Sequence, residues 1–432
     1  MNILLIKPCW PYPYSKGEYT YNRIWPPLSL ANCAALLEAE HHQVKILDAH
    51  AERIPPDNIS NFIKGYDKVF ITSSTLDKWQ CPNIDITPFM QTLRKIKDTT
   101  DEVYILGYHG TIQPEKLFAL SGARAVVRGE PEYTVLEICR GRSLLDINGL
   151  TFENDGKIFS TPQRQPLDLK GLPIPAFHTL NFRKYFYEIL GNNFALFETS
   201  RGCKFKCSFC NKAMYQEGLR SKSRDQVIEE ITLAVEKCKV QSGYFIDLDF
   251  PANNCIREDL CNFLIEKKYK FQWTCQARPE SLDLETLRQM KRAGCKIIHL
   301  GVETGVQELL DRVNKKIKIG EMERVIKLCK KIGLKTLIFI LFGLPGETQK
   351  DREQTFAFAK KLNAEFVSFH KVVDYSGNEP GKDKAILFNN ADKFIRTAFL
   401  KYYLRPSYIY NLNPAVILSC FKLFYHRIKT LH

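Results

Sequence analysis

Short apolar segments alternate with longer helical patterns along most of this chain, and this alternation constrains the fold more than any other feature. Within residues 1–140, five segments read as short buried strands: 3–6, 44–47, 69–72, 103–106 and 125–127. Helical patterns such as 28–38 and 88–96 lie between them. Short apolar strands separated by helices predict a doubly wound, Rossmann-like parallel sheet. No G-x-G-x-x-G follows the first strand, which argues against a nicotinamide or flavin dinucleotide site.

The pattern resumes with larger units in residues 191–375. Six strand candidates occur there, at 195–197, 244–248, 272–275, 297–300, 337–341 and 366–369. Helical patterns separate them, for example 224–237, 284–293, 321–331 and 350–362. Six β-α units predict a (βα)6 partial TIM barrel, whose active site lies at the carboxyl ends of its strands. Residues 141–190 read as a linker with a small hairpin around Asn154-Asp-Gly, and residues 376–432 as a helical C-terminal extension.

A C-x-x-x-C-x-x-C triplet, formed by Cys203, Cys207 and Cys210, directly follows the first predicted barrel strand. Three thiolates at this spacing can ligate three irons of a [4Fe-4S] cluster and leave the fourth iron open to a small molecule. Structural zinc is the alternative, but closed zinc sites use four ligands, commonly as paired C-x-x-C units. No second pair or nearby His follows the triplet, so the spacing favours iron–sulfur.

The compartment is predicted from the remaining cysteines. The chain has 14 in all, and those outside the triplet are spread singly. Free thiols and an oxygen-sensitive cluster fit a reducing cytoplasm. The start of the chain reads as a first strand rather than a secretory signal. No stretch reaches the ~18 apolar residues of a membrane span.

The triplet, with the aromatic Phe209 before its third cysteine, resembles the signature of radical S-adenosylmethionine (SAM) enzymes. The resemblance implies that the open iron binds the amino and carboxylate groups of SAM. One electron then cleaves the sulfonium to methionine and a 5′-deoxyadenosyl radical, which abstracts hydrogen from an unactivated carbon. It also implies an external electron donor such as flavodoxin or ferredoxin.

Other strand ends supply the residues expected to hold SAM beside Phe209. Asp247 and Asp249 follow the second barrel strand. Glu303 follows the fourth, where it can accept hydrogen bonds from ribose hydroxyls or simply cap a helix. Gly343 follows the fifth and permits close backbone approach to the adenosine. Arg278, after the third, is either a carboxylate partner or an ordinary surface arginine.

Four strings in the first domain resemble the cobalamin-binding domain that precedes many radical SAM cores. They are Trp25-Pro-Pro-Leu-Ser-Leu, Ile46-Leu-Asp-Ala, Gly107-Tyr-His-Gly-Thr and Val127-Arg-Gly-Glu-Pro-Glu. The resemblance implies cobalamin at the strand ends that carry Ser73, Ser74, Gly107 and Gly110, although by position alone these residues could equally form ordinary turns.

A cobalt-ligating histidine is not expected. The nearest string to the D-x-H-x-x-G motif is Asp48-Ala-His-Ala-Glu-Arg, which lacks the glycine. It also follows the second strand rather than the first. His50 is therefore interpreted as an ordinary loop histidine, and cobalamin is expected to bind without a histidine ligand.

The resemblance implies a cobalamin-dependent C-methyltransferase that acts on an unactivated carbon of a lipid or natural-product intermediate. Three alternatives stay open. Relatives use the same parts for radical cyclisation or rearrangement. Methylthio transfer would need a second cluster, for which Cys9, Cys33 and Cys81 are the available ligands. The third alternative is a non-catalytic metal-binding scaffold.

Positive charge is concentrated in two segments of this chain of net charge +14. Residues 201–224 and 391–432 each carry seven Lys or Arg and one acid, or +6 apiece. Each segment is either a solvated face or the neighbour of an anionic substrate or membrane surface. An amphipathic helix over 414–429 either packs on the barrel or makes peripheral membrane contact. No nucleic-acid module is recognised, so no nucleic-acid partner is expected.

Overall fold

The computed structural model describes residues 1–10, 24–74, 76–77, 85–215, 218–374, 384–385 and 390–409. These residues form two α/β units, each built on a sheet of mainly parallel strands, and a short helical segment follows the second unit. The predicted α/β class with parallel sheets is confirmed. The amphipathic helix predicted at 414–429 lies outside the described residues.

The first sheet has seven strands in the order β2-β1-β3-β4-β5-β6-β7. Their bounds are β1 Asn2–Lys7, β2 Gln43–Asp48, β3 Lys68–Thr72, β4 Val103–Leu106, β5 Ala125–Val127, β6 Leu150–Asn154 and β7 Lys157–Ser160. The helices of this unit are α1 Leu28–Ala39, α2 Thr87–Lys97, α3 Tyr108–Ile112, α4 Pro114–Ser121 and α5 Glu132–Cys139. Strands β1 to β5 are parallel, and the chain changes direction across the sheet between β1 and β3. Such a reversal is where doubly wound sheets open a ligand crevice.

The hairpin predicted within the linker continues this first sheet. Val126 of β5 pairs antiparallel with Thr151 of β6, and β6 pairs in turn with β7. The sheet therefore extends beyond residue 140. Local alternation and the Asn154-Asp-Gly turn reveal a hairpin, but they carry no information about which sheet edge the hairpin joins.

The second sheet has six parallel strands that lie side by side in chain order. They are β10 Phe194–Phe197, β13 Ser242–Phe245, β14 Gln272–Ala277, β15 Cys295–Glu303, β16 Lys335–Phe342 and β17 Phe366–Lys371. Each predicted barrel strand overlaps one of them. Short ladders pair β8 Phe186–Tyr187 with β9 Gly191–Asn192, β11 Ser200–Cys203 with β12 Gly218–Ser221, and β18 Val373–Asp374 with β19 Lys384–Ala385. Sequential parallel order is the arrangement of a partial (βα) barrel.

Helices follow the strands of the second unit. They are α6 Arg224–Thr232, α7 Asn254–Lys267, α8 Leu284–Arg292, α9 Gln307–Arg312, α10 Ile319–Ile332, α11 Gln349–Leu362, α12 Ala391–Tyr403 and α13 Pro406–Ile409. Capping explains where several begin. Ser223 and Gln226 form a capping box at α6, and Thr348 and Asp351 form one at α11. No helix of the described residues is long and apolar enough to cross a membrane.

Each unit has its own apolar core, but the two cores are joined by residues that cross between them. Trp25 and Leu28 belong to the first unit in sequence and to the core of the second in space. The Trp25 ring lies 5.6 Å from that of Phe194 and 5.4 Å from that of Tyr244. Burying a tryptophan across a boundary ties the two units together because aromatic side chains carry the largest apolar area.

Two buried ionic groups lie at the same boundary. Lys7 and Asp48, at the ends of β1 and β2, form an ion pair of 3.1 Å, and the Tyr185 hydroxyl donates to the same carboxylate oxygen at 3.0 Å. The second group is centred on Arg201, whose side chain is 1% exposed. Its guanidinium donates to three carboxylates, those of Glu130, Glu132 and Glu198.

We predict that Arg201→Leu lowers the free energy of unfolding by about 3 to 5 kcal/mol, because it leaves buried carboxylates without their counter-ion. Urea denaturation followed by circular dichroism measures this loss. The control is Arg183→Leu at an exposed position, for which we expect a change within about 0.5 kcal/mol. Equal stability of the two variants would contradict the importance given to this network.

Candidate active site at the strand ends

The cysteine loop leaves the carboxyl end of β10 between the two strands of a small ladder. Strand β11 ends at Cys203 and pairs with β12, so the loop is closed at its base. Gly202 has φ +86°, and a Cβ there would lie 2.0 Å from the carbonyl oxygen of Gly218. Only glycine fits this close approach of two backbones. The backbone at the start of the triplet is therefore held in place by its close contact with the neighbouring strand β12.

The three cysteines are half-buried along this loop. The Cys210 N–H donates to the Cys207 carbonyl at 3.2 Å, and the Ser208 N–H donates to Val313 at 3.0 Å. Burial raises the pKa of the Cys203 thiol, while a hydrogen bond from the Phe205 N–H opposes that rise. In the described part of the chain, no three His, Cys, Asp or Glu side chains already meet as a metal site. The donor set itself, three closely spaced thiols on one loop, suits an iron–sulfur cluster.

Arg278 is buried against this loop rather than on the surface. Its guanidinium lies 3.6 Å from the centre of the Phe205 ring, and Nη1 lies 3.6 Å from the Cys207 sulfur. Nη2 donates to the Lys315 carbonyl, and Nε donates to Glu280 at 2.6 Å. Arg278 thus clamps the loop against the β14 strand end and places a positive charge beside a thiol.

Phe209 anchors the other side of the loop. Its ring packs against the small apolar cluster formed by Val306, Leu309, Val313, Leu344 and Val372. The Lys315 ammonium lies 5.6 Å from the centre of the Phe209 ring. This packing fixes the aromatic residue between Cys207 and Cys210.

Asp247 and Asp249 hold strand ends together. Asp247 is buried and accepts hydrogen bonds from the Thr199 backbone, the Thr199 hydroxyl and the Ser200 hydroxyl at 2.6 to 3.3 Å. Asp249 accepts from the Arg278 N–H at 3.0 Å and from Ser281 at 2.9 Å. Burial raises the pKa of both carboxyl groups. Their contacts show them supporting the loops around the cysteines, and their assignment to SAM stays a prediction.

Glu303 ends β15 in a left-handed conformation with φ 64°, which is uncommon for a residue with a side chain. Its carboxylate forms a buried ion pair of 2.8 Å with Lys315. A Cβ on Gly301 would lie 2.5 Å from Glu303 Oε1, so the glycine leaves room for this pair. Backbone strain of this kind is concentrated at functional sites because the surrounding structure must maintain it.

Gly343 directly follows β16 with φ +92° and donates its N–H to Glu347 at 2.7 Å. Glu347 therefore closes the turn after β16, and Thr348 rather than Glu347 caps the next helix. Burial raises the pKa of the Glu347 carboxyl. The positive-φ glycine permits a tight turn at the same strand-end edge as Glu303, the edge at which SAM was predicted.

The predicted cobalamin residues meet where β3 and β4 end. The Tyr108 N–H donates to Ser74 Oγ at 2.9 Å, and the His109 N–H donates to Ser73 Oγ at 3.3 Å. Gly107 has φ +101°, and a Cβ there would lie 2.8 Å from Ser74 Oγ. Ser73, Ser74 and Gly107 therefore lie in contact at two neighbouring strand ends.

Gly110 has a different environment. A Cβ at this position would lie 2.5 Å from Val126 of β5, so the glycine allows α3 to pack closely on the sheet. Helix packing accounts for Gly110 without a ligand, and its assignment to cobalamin is untested.

Helix α3 also brings the first unit against the segment that follows the cysteine triplet. Asn211, directly after the triplet, donates to the Tyr108 hydroxyl. The Thr111 hydroxyl lies 2.9 Å from the Met214 sulfur. Tyr108, Met214 and Tyr215 form a buried apolar cluster of their own. The two predicted cofactor regions are therefore neighbours in space.

The histidines weighed as cobalt ligands are both buried. His50 lies in the turn after β2, and its Nδ1 has no hydrogen-bond partner among the residues that the structure describes. Burial, with the charge of Lys7 second, lowers the pKa of His50 to about 4. His50 is thus a neutral, buried imidazole in a turn, and the expectation that it does not ligate cobalt stays a prediction. His109 stacks edge-on against Tyr108, with 5.4 Å between ring centres.

Several residues of this site had no recognisable signal in the sequence. Arg201 and Lys222 belong to the basic segment 201–224, yet both are buried in ion pairs, Lys222 with Glu230 at 2.6 Å. That segment is therefore only partly a solvated face. Lys315 was missed because nothing in its own sequence window indicates that it pairs with Glu303.

The surroundings of the cysteines that could hold a second cluster argue against such a cluster. Cys33 is fully buried in the apolar core of the first unit, and burial raises the pKa of its thiol well above the ordinary value. Burial also raises the pKa of Cys9. Cys81 lies outside the described residues. Buried thiols in apolar surroundings are ordinarily inert.

Comparison with known proteins adds three findings. Residues 197–359 match the model of the Radical SAM superfamily. The chain is 29% identical to an uncharacterised methyltransferase of Pyrococcus horikoshii, over 88% of each chain. It is 28% identical to the anaerobic magnesium-protoporphyrin IX monomethyl ester cyclase of Rubrivivax gelatinosus, over 85% of this chain and 67% of that one.

A solved structure shares the two-unit fold. The radical SAM methyltransferase TsrM from Kitasatospora setae, solved with cobalamin and a [4Fe-4S] cluster bound, superposes with a TM-score of 0.69. The match covers 86% of this chain and 75% of TsrM at 19% sequence identity.

We predict that Gly107→Ala destabilises the protein by about 1 to 3 kcal/mol, because alanine is strained at this φ and its Cβ would meet Ser74. Thermal melting of the apoprotein measures the change. The control is Gly320→Ala in α10, where a Cβ meets no atom within 4 Å and alanine is the better helix former. An unchanged melting temperature for Gly107→Ala would contradict the described turn.

Proposed function

We propose that this radical SAM enzyme is a cobalamin-dependent C-methyltransferase. One observation carries the proposal: helix α3, which follows the β4 end of the first unit, contacts the segment directly after the cysteine triplet through Tyr108, Thr111, Asn211 and Met214, and that segment lies within the matched region. A reaction that uses two cofactors in turn needs their sites to be adjacent. A scaffold without catalysis is set aside because the chain is a radical SAM enzyme.

Cys203, Cys207 and Cys210 would hold the [4Fe-4S] cluster. The pairing of β11 with β12 holds the backbone of Cys203 in place. The packing of Phe209 positions the segment between Cys207 and Cys210, and Arg278 contacts the loop from the β14 strand end. When bound, the cluster supplies one electron that cleaves SAM to methionine and a 5′-deoxyadenosyl radical, and cobalamin supplies a carrier for the methyl group. The residues of this chain supply binding, orientation and the exclusion of water.

For SAM, we assign the contacts to the ends of β15 and β16 rather than to direct contacts with Asp247 and Asp249. Both aspartates already accept several hydrogen bonds from the protein, so they orient the loops. Glu303 and the turn at Gly343 lie at the same edge, where the strained backbone and the buried Lys315 pair present polar groups near Phe209. This division of roles is typical of sites in which supporting hydrogen bonds hold the ligand-binding groups.

The substrate is proposed to be a small molecule, either a lipid or a natural-product intermediate. Radical cyclisation is the second candidate, since one relative is named as a cyclase and another as a methyltransferase. Methylthio transfer is disfavoured because Cys33 lies in an apolar core.

An acidic electron carrier such as flavodoxin or ferredoxin is the proposed reductant. Lys204 and Lys206 are exposed on the cysteine loop, and the exposed Lys316 follows the segment that contacts it. Opposite charge at a docking surface accelerates the encounter of two proteins. Membrane contact through the C-terminal tail stays a prediction, since residues 410–432 lie outside the described residues.

We predict about four irons per chain after anaerobic reconstitution, because three thiolates hold one cubane cluster. The variant with Cys203, Cys207 and Cys210 all changed to Ala should retain none. The control is Cys255→Ser at an exposed cysteine, which should keep the full iron content. About eight irons in the wild type, with half surviving in the triple variant, would instead support methylthio transfer.

We predict that the protein binds cobalamin without a histidine on cobalt. His50→Ala and His109→Ala should both leave the visible absorption and the electron-spin resonance of bound Co(II) cobalamin unchanged, with folding checked by circular dichroism. Loss of a nitrogen hyperfine pattern in either variant would identify that histidine as the ligand. A wild-type protein that binds no cobalamin would overturn the cobalamin assignment altogether.

A further inference from the structure

Exposed lysine and arginine side chains are concentrated at one end of the second unit, where the helices return to the next strand of the sheet. Five segments at the C-terminal ends of α6, α7, α8, α10 and α11 carry them: 236–241, 266–271, 291–296, 330–335 and 360–365. Thirteen cations and three acids give these segments a net charge of +10. All thirteen cations are exposed, and we call them the basic rim: Lys237, Lys239, Lys267, Lys268, Lys270, Lys291, Arg292, Lys296, Lys330, Lys331, Lys335, Lys360 and Lys361.

Hydrogen bonds join the five segments into one continuous surface. Lys291 donates to the Ile332 carbonyl, and Lys330 donates to the Leu362 carbonyl at 2.8 Å. The Trp273 indole of β14 donates to the end of α8 at 2.8 Å, and the backbone at the start of β14 donates to the loop after α6 at 3.0 Å. The basic rim is therefore a single face at the amino ends of the barrel strands.

The cations of this face lack acidic partners. In the described part of the chain, only Lys361 of the basic rim forms an ion pair, with Glu323 at 2.7 Å. Lysines at helix C-termini ordinarily complement the helix dipole. That explanation does not extend to Lys270, Lys296 and Lys335, which follow the helix ends, and α1, α4 and α5 of the first unit have no basic residue in their last turns. The concentration of charge therefore exceeds what the helices require.

Exposed apolar side chains border the basic rim. The C-terminal end of α12 lies beside the rim, because the Tyr402 hydroxyl donates to the Ala364 carbonyl at 2.7 Å. On this end of α12, Phe399, Leu400 and Leu404 are 49%, 47% and 64% exposed. Cations next to exposed apolar side chains are the combination that binds the interface of an anionic membrane.

We propose that the basic rim is a docking surface for an anionic lipid bilayer, with Phe399, Leu400 and Leu404 entering the headgroup region. Charge complementarity requires a partner with dense negative charge. The apolar patch favours a bilayer over a nucleic acid, because phosphate contacts would leave these side chains in water. The rim has twelve lysines and one arginine, which fits diffuse attraction better than bidentate recognition of single phosphates. This inference is independent of the proposed reaction.

Docking through this face has a consequence for the candidate active site. The basic rim lies at the amino ends of the barrel strands, whereas the cysteine loop leaves the carboxyl end of β10. A chain docked through the rim would therefore hold the cysteine loop on the side of the barrel that faces away from the bilayer. The loop would stay accessible to a soluble substrate and to a soluble reductant.

Vesicle flotation of the full chain tests this surface. The wild type should float with vesicles of phosphatidylglycerol and phosphatidylcholine, more weakly at high salt, and not with phosphatidylcholine alone. A rim variant should bind the mixed vesicles about a hundredfold more weakly; it combines Lys270→Gln, Lys296→Gln, Lys331→Gln and Lys335→Gln. The matched control removes the same charge from exposed positions of the first unit and should bind as the wild type does; it combines Lys45→Gln, Lys64→Gln, Lys157→Gln and Lys170→Gln.

A further variant tests the apolar patch at constant charge. Leu400→Gln combined with Leu404→Gln changes two exposed side chains and should weaken vesicle binding by about tenfold. Circular dichroism checks that every variant is folded.

Three results would overturn the inference: no flotation of the wild type with mixed vesicles, unchanged binding by the rim variant, or equal weakening of the rim and control variants. Mobility shift with duplex DNA tests the other polyanion. Tight DNA binding that only the rim variant loses, without vesicle flotation, would assign the rim to nucleic acid and overturn the bilayer. None of these readouts depends on iron or cobalamin content, so failure of this inference is distinct from failure of the proposed function.

Discussion

The buried ion network of Arg201 is the interaction on which the arrangement of the two units depends. Its guanidinium joins Glu130 and Glu132 of the first unit to Glu198 of the second, at a position two residues before Cys203. Burial works to raise the pKa of Glu198, but the charge and hydrogen bond of Arg201, together with Lys222 and Asn32, bring this pKa below its ordinary value. Burial raises the pKa of Glu132, and the neighbouring charges of Glu130 and Glu198 add to that rise against the attraction of Arg201. Burying such charges is costly, and the network is retained where it fixes a specific geometry. Here it fixes the cysteine loop relative to the first sheet.

Around this network, the ends of two parallel sheets meet. Helix α3, whose first residue bonds to the β3 end, contacts the segment after the cysteines, and the β13 end supplies aspartates that hold the cysteine loop and the β14 end. Parallel sheets expose their ligand-binding loops at the carboxyl ends of the strands, and both proposed cofactor sites lie at such ends. The bonds of Asp247 hold loops, and the contacts to SAM are therefore proposed at the strained Glu303 and at the turn of Gly343.

The strands and the cysteine triplet could be predicted because their signals are local. Short segments of three to five residues mark the parallel strands of both sheets, and the triplet needs only its spacing. The side-chain pairs that join the two units could not be predicted, because their members lie far apart in the chain. Arg201 and Glu130 are separated by 71 positions, and Asn32 and Glu198 by 166. For the same reason the 150–160 hairpin was predicted as part of a linker, whereas it pairs with β5 and belongs to the first sheet. Arg278 was predicted as either a carboxylate partner or a surface residue, whereas it contacts Cys207.

The central claim is that the cysteine loop supports reductive cleavage of SAM beside the first unit. The most direct measurement is the product analysis of SAM incubated anaerobically with the reconstituted, dithionite-reduced enzyme. The account predicts methionine and 5′-deoxyadenosine in equal amounts, and neither product when the three cysteines are replaced. An iron-loaded, reduced enzyme that binds SAM and returns it intact would contradict the account.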